Sequence, residues 1–219
     1  MVRPGVTTLE IDTAVRKFIE SQGATPSFLG YGGFPASACI SVNDEVIHGI
    51  PSNQVLKEGD IVNVDCSTIL DGYFSDSSRM FCIGEVDPER ERLVRVTKEC
   101  VQKGLEAIKP WGFLGDIGAA VNAHAEANGY SVVREFGGHG IGLEFHEDPF
   151  VSFVTEAGTG PILVPGLCFT IEPMINAGAQ EIDMTDPNGW TVRTKDGLPT
   201  AQWEVQLVIT ETGYELLSW

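Results

Sequence analysis

The sequence predicts a mixed α/β fold made of two related halves, each a helix followed by strands. The first observation is an internal repeat. Gly59-Asp-Ile-Val-Asn-Val-Asp65 matches Gly166-Leu-Cys-Phe-Thr-Ile-Glu172, a glycine, an apolar run and a carboxylate, at an offset of 107. Upstream, Glu10-Ile11 with Ala14-Val15 matches Asp116-Ile117 with Ala120-Val121, and Gly23 matches Gly129, at an offset of 106. The second observation is that helical stripes alternate with strand-like runs. The third is length: 219 residues suit one large α/β domain with a full core. The expected halves run from about 1 to 86 and from 87 to 219. A site between them would take ligands from both.

The first helix is predicted over 7–22. Thr7 and Glu10 form a capping box, Ile11, Ala14, Val15, Phe18 and Ile19 give the stripe, and Gly23 stops it. The second starts near Pro88 and ends before Pro110, with Leu93, Val94, Val101, Leu105 and Ile108 along it. The third spans 115–128 and ends at Gly129, with Ile117, Ala120, Val121 and His124 inward. Strand-like runs occupy 38–41, 61–67, 73–83, 131–135, 167–172 and 203–210. Asp71-Gly72 between two of them is a strong hairpin signal. The second half has a helix before Pro110, whereas the first begins at Pro4. Its counterpart would precede Met1, and its lack would expose apolar surface and favour low stability or self-association.

Formal net charge is −17, from 31 acidic and 14 basic residues, which argues against nucleic acid as a partner. The acid reads either as a soluble surface or, in part, as site carboxylate. Five cysteines, Cys39, Cys66, Cys82, Cys100 and Cys168, form no CxxC pair and sit mostly in apolar runs, as reduced core residues of a cytoplasmic protein do. No run approaches the ~18 apolar residues of a membrane span, and no signal peptide is expected.

Chemistry concentrates in Asp65, Asp76, His139, Glu172 and Glu204. Asp65, Glu172 and Glu204 lie in or at the end of apolar runs, where a carboxylate is costly to bury unpaired. A two-residue turn at Asp71-Gly72 sets Asp65 opposite Ser78. Asp76 then shares the face of Asp65 as a diagonal neighbour, at roughly 7–8 Å between Cα atoms. A cation would turn that repulsion into coordination; the alternative is two unrelated acids on a wet strand. Glu204 alternates with Trp203, Val205, Leu207 and Ile209 and shares a face with Gln202 and Gln206, which by periodicity is an ordinary polar face. His139 lies in the glycine-rich Phe136-Gly-Gly-His-Gly-Ile-Gly142, read as a loop; His48 and His146 also lie in glycine- or proline-punctuated loops. His124 reads as structural. No GxGxxG, Walker, GxSxG or HExxH pattern is present.

In order along the chain stand Ser41-Val-Asn-Asp-Glu-Val-Ile-His-Gly-Ile-Pro51, Gly59-Asp-Ile-Val-Asn-Val-Asp65, Asp71-Gly-Tyr-Phe-Ser-Asp76, Gly138-His-Gly-Ile-Gly142, Phe145-His-Glu-Asp-Pro149, Phe169-Thr-Ile-Glu-Pro-Met174, Gly189-Trp-Thr-Val192 and Ala201-Gln-Trp-Glu204. Over essentially its whole length the chain resembles the type I methionine aminopeptidases of the pita-bread metallopeptidase family M24. The resemblance implies a curved, mainly antiparallel sheet with helices outside. It implies a dinuclear enzyme that removes the N-terminal methionine of new proteins, preferring a small second residue. Asp65 would chelate one metal, Asp76 and Glu204 would bridge the two, and His139 and Glu172 would complete the second. A hydroxide between the metals would be the nucleophile. His146 would steady the tetrahedral intermediate, and His48 and Glu172 would assist proton transfer. Four carboxylates and one imidazole suit Mn, Fe, Co or Zn, and sequence does not choose among them. Phe28, Tyr31, Phe34, Cys39, Phe145 and Trp190 would line the methionine pocket. A cytoplasmic monomer, with the ribosome as a further partner and no membrane or nucleic acid, is expected.

Three departures stand out. Val205-Gln206 replaces the His-Thr that commonly follows the last metal glutamate. Gly32 stands where relatives often carry a larger polar residue. Relatives usually have a helix before the Arg3-Pro4-Gly5 segment. The rival readings are an X-Pro aminopeptidase or prolidase on the same fold, and an inactive relative serving as a binding module.

Overall fold

The computed structural model describes residues 1–218. In chain order it contains helix α1 (Thr8–Ser21) and strands β1 (Thr25–Pro26), β2 (Cys39–Val42), β3 (Glu45–Ile47), β4 (Ile61–Leu70) and β5 (Tyr73–Cys82). Helices α2 (Pro88–Ala107) and α3 (Gly115–Ala127) follow. Then come β6 (Ser131–Val132), β7 (Gly138–Gly140), β8 (Glu147–Val151), β9 (Cys168–Ile171), β10 (Met174–Asn176), β11 (Ile182–Asp183), β12 (Val192–Thr194), β13 (Thr200–Gln202), β14 (Val205–Ile209) and β15 (Tyr214–Leu216).

The helices form where local sequence asks for them. Thr7 caps α1: its hydroxyl accepts from the Glu10 amide (3.1 Å), and the Glu10 carboxylate accepts from the Thr7 amide (2.8 Å). Asp87 caps α2 by accepting from the Glu89 amide, with Pro88 in the first turn. The α1 stripe is narrower than predicted. Ile11 and Ile19 are buried, but Phe18 is 67% exposed. His124 of α3 meets Glu99 of α2 at 3.0 Å, an interhelical pair rather than a site residue.

Every strand pairing among the described residues is antiparallel. The β4–β5 hairpin turns at Asp71 and Gly72, both with positive φ (51° and 86°), as a tight two-residue turn requires. Its register pairs Leu70 with Tyr73 and Asp65 with Ser78. β2 and β1 join the far side of β4. In the later part of the chain β9 lies between β7 and β14, and β8 and β15 extend that sheet. α1 covers β2 and β4 through Ile11, Ile40, Val42, Val62 and Val64. α2 and α3 cover β9 and β14 through Leu93, Val101, Ile117, Val121, Phe169, Ile171 and Leu207.

Two predicted strands differ from observation. The run at 131–135 pairs only over Ser131–Val132. The run at 203–210 begins at Val205, and Thr200–Gln202 is a separate strand. The reason is a paired break. β14 pairs with β9 (Val205 with Ile171) and β13 with β10 (Met174 with Gln202). Between them Pro173 offers no amide, and the Glu204 amide leaves the ladder to donate to the Ser78 carbonyl of β5 (3.2 Å). The register carried through this break sets Glu172 against Glu204. No helix among the described residues is long and apolar enough to cross a membrane.

Candidate metal centre

Five strands or strand ends deliver the five predicted ligands to one place. Asp65 sits in β4, Asp76 in β5, Glu172 just after β9 and Glu204 just before β14. His139, expected in a loop, is the middle residue of β7. Its glycine neighbours explain the strand: a Cβ at Gly138 would strike the Thr170 carbonyl, and one at Gly140 the Asp148 carbonyl. Only glycine lets β7 settle between β8 and β9 there.

All four carboxylates are buried, Glu204 to 2% exposure. His139 Nε2 lies 3.5 Å from Glu172 Oε1 and 3.9 Å from Asp76 Oδ2. One ligand atom from each of Asp76, His139 and Glu204 falls within 4.8 Å of the others. Glu172 accepts from Thr170 Oγ1 (2.7 Å) and Gln202 Nε2 (3.1 Å). The His139 amide donates to Thr170 Oγ1 (3.0 Å), and its Nδ1 lies 3.0 Å from the Gly140 carbonyl. A carbonyl only accepts, so that contact assigns the proton to Nδ1 and leaves Nε2 free to ligate.

Such a cluster is unfavourable by itself. Burial, and then the neighbouring carboxylates, push Asp65, Asp76 and Glu204 well above the ordinary carboxylate range. Burial also raises Glu172, against the pull of His139. Asp65 Oδ1 and Asp76 Oδ1 are buried and have no hydrogen-bond partner. Orphaned acceptors facing like charge are what a divalent cation relieves, and an oxygen-rich set with one imidazole fits Mn, Fe, Co or Zn.

These five residues, with His48 and His146, line a cavity of about 580 Å³. Burial holds the pKa of both imidazoles at about 4, so each is neutral near pH 7. His48 has a left-handed backbone (φ 59°) and stands edge-on to Trp190 and Phe136. Tyr31 Oη lies 2.8 Å from His146 Nδ1. Of the six predicted pocket residues, Phe28 lines the cavity. Phe34, Cys39 and Phe145 are buried in the cluster that includes Phe28, and Trp190 packs edge-on against Phe34. Tyr31 stacks edge-on against Phe145 and is 44% exposed.

Thr170 and Gln202 escaped the sequence reading as supports, and Gln206 stood there only as a departure from the family pattern. Thr170 and Gln202 hold Glu172, and Gln206 holds Asp76: its Oε1 accepts from the Asp76 amide (3.1 Å). The available signal was the alternation Gln202, Glu204, Gln206. The ordinary polar face it suggested is instead buried against the carboxylates.

The model of "Metallopeptidase family M24" matches residues 1–211. "Methionine aminopeptidase A" of Synechocystis is 51% identical over 219 residues, covering 100% of this chain and 86% of its own. "Methionine aminopeptidase" of Escherichia coli K12 is 48% identical, covering 99% and 83%. The crystal structure of methionine aminopeptidase from Rickettsia prowazekii superposes with a TM-score of 0.97 at 45% identity, over 98% of this chain and 87% of the other. The prolidase from Pyrococcus furiosus shares the fold at a TM-score of 0.77 and 22% identity, this chain covering 57% of it.

Proposed function

The chain belongs to metallopeptidase family M24 and is a metal-dependent aminopeptidase that removes N-terminal methionine; we propose that it works with two divalent cations. Asp76, His139 and Glu204 form the close group, Glu172 stands 3.5 Å from His139, and Asp76 and Glu204 would be the shared ligands. The observation that carries this reading is the pair of buried, partnerless oxygens on Asp65 and Asp76. Four carboxylates exceed what one divalent cation neutralises.

A cation held there lowers the pKa of water and polarises a carbonyl. The other tasks fall to the chain. The carboxylate cluster attracts the free α-ammonium of a polypeptide. Phe28, backed by Phe34 and Phe145, offers an apolar wall for the thioether. In the tautomer we propose, the Tyr31 hydroxyl donates to His146 Nδ1 (2.8 Å) and His146 carries its own proton on Nε2, where it can donate to the oxyanion of the tetrahedral intermediate. Glu172, steadied by Thr170 and Gln202, takes up a proton and returns it to the leaving amine, and neutral His48 steadies the scissile amide. The domain is proposed as one unit of two halves, a cytoplasmic monomer acting on new chains at the ribosome, with a small second residue preferred.

The X-Pro reading is weaker, because the prolidases share only the fold. The test is methionine release from Met-Ala-Ser and Met-Phe-Ser peptides beside an Ala-Pro peptide. It uses metal-stripped protein and then added Mn²⁺ or Co²⁺. Metal-restored cleavage after methionine, faster with alanine second, is expected. Cleavage of Ala-Pro alone moves the chain to the X-Pro branch. Binding of two metals without cleavage makes it an inactive relative.

A further inference from the structure

Gln206 is 3% exposed and lies on β14, directly opposite Thr170 of β9. Its side-chain amide faces β5 and imitates a strand there. Oε1 accepts from the Asp76 amide at 3.1 Å, and Nε2 points to the Phe74 carbonyl at a longer 3.4 Å. The backbone of the same residue is engaged from the other end of the chain. The Gln206 amide donates to Ser218 Oγ (2.8 Å), and Ser218 Oγ donates to the Asp76 carbonyl (2.5 Å). Both main-chain polar groups of Asp76 are thus held by Gln206 and by a serine that Gln206 itself holds. The facing residue Thr170 holds Glu172 and the His139 amide. One rung, Gln206 with Thr170, therefore supports three of the five ligands.

β5 and β14 belong to different sheets; β5 carries Asp76 and the residue just before β14 is Glu204, two members of the close group Asp76–His139–Glu204. Two buried carboxylates drift apart unless something fixes their backbones, because their mutual repulsion in a poorly polarisable interior is strong. The amide of Gln206 supplies that fixation at Asp76. Glu204 stands two residues from Gln206, so a single short segment sets both. A threonine at this position would end two bonds short of the Gln206 amide and could not reach β5 in the same way.

Resting on the two-cation reading, we propose that Gln206 is a positioning residue that sets the spacing of Asp76 from Glu204 and His139, and thereby the affinity of the cation those three share. Removal of a side chain that orients a ligand typically costs 10–100-fold in metal affinity. The larger effect falls on the site His139 completes; the other shares Asp76 and Glu204 but keeps Asp65, which β2 and β5 hold in the ladder.

The test is calorimetric titration of metal-stripped protein with Mn²⁺, alongside its thermal melting without metal. Wild type, Gln206→Ala, Gln206→Thr and Ser218→Ala are compared. Two sites are expected in wild type. In Gln206→Ala and Gln206→Thr both weaken, the site that His139 completes by about 10- to 100-fold and the other less. Ser218→Ala weakens the same site to a lesser degree and carries the test alone if the Gln206 variants do not fold. Unchanged affinity at both sites overturns the proposal. So does equal weakening of both with a lower metal-free melting temperature, which would mark general loosening. Wild-type protein that binds no Mn²⁺ would instead sink the two-cation reading on which the proposal stands.

Discussion

At the scale of single residues, the site is a balance between buried charge and what neutralises it. Asp65, Asp76 and Glu204 hold protons more tightly folded than unfolded. Their contribution to stability is therefore full below the unfolded carboxylate pKa of about 4 and is lost as pH rises through the raised folded values. Metal-free protein should melt at progressively lower temperature as pH rises above about 5, and added metal should remove that slope. Glu204→Gln deletes one of the repelling charges. At pH 8 it should raise the metal-free melting temperature by about 2–4 °C per kcal/mol relieved, while abolishing stabilisation by metal; a lower melting temperature would contradict this. The imidazoles have the opposite sign. His48 and His146 titrate near 4, so kcat should show no histidine inflection between about pH 5.5 and 8. Tyr31→Phe removes the hydroxyl that meets His146 Nδ1 at 2.8 Å. It should lower kcat about tenfold, for about 1.4 kcal/mol, with little change in KM. The ¹⁵N shifts of the His146 ring should change as its tautomers mix.

At the scale of elements, legibility followed locality. The helices are set within their own sequence, α1 and α2 by side-chain caps and all three by stripes and their stop residues, and their ends fall within a residue or two of expectation. The β4–β5 register was equally legible, because Asp71-Gly72 fixes it within two residues; the facing of Asp65 and Asp76 came with it. β7 was not legible. Three residues with two glycines carry no periodicity, and the strand exists because β8 and β9 leave room only for bare backbone. Two substitutions separate these cases. Thr7→Ala should cost about 1 kcal/mol of stability through the lost α1 cap and leave metal affinity unchanged. Gly138→Ala should cost about 1–3 kcal/mol by overpacking against Thr170 and should also weaken metal binding, since β7 carries His139. Denaturant unfolding with metal titration on both variants checks the contrast.

At the scale of the molecule, the cluster joins sheets that the chain builds separately. Asp65 and Asp76 come from the β4–β5 hairpin, and His139, Glu172 and Glu204 from the β7–β9–β14 group. A cation bound across them stabilises the whole fold by mass action, by about 2.7 kcal/mol per site at a free concentration a hundredfold above Kd. Metal stripping should therefore speed amide hydrogen exchange first in β5 and β14, where the two groups meet. Uniform change across all strands would argue against that joint. The sequence by itself determined the helices, the hairpin register and the α/β class and, through the resemblance, pointed to the antiparallel sheet and to five candidate ligands. Those depend on short-range backbone preferences and on motifs a single chain displays. Only the tertiary structure decided that Glu172 stands opposite Glu204 across a broken ladder, that His139 belongs to a strand, and that Gln206 holds Asp76. Each of those contacts joins residues more than 30 positions apart or depends on the space neighbouring strands leave, and no local preference encodes either.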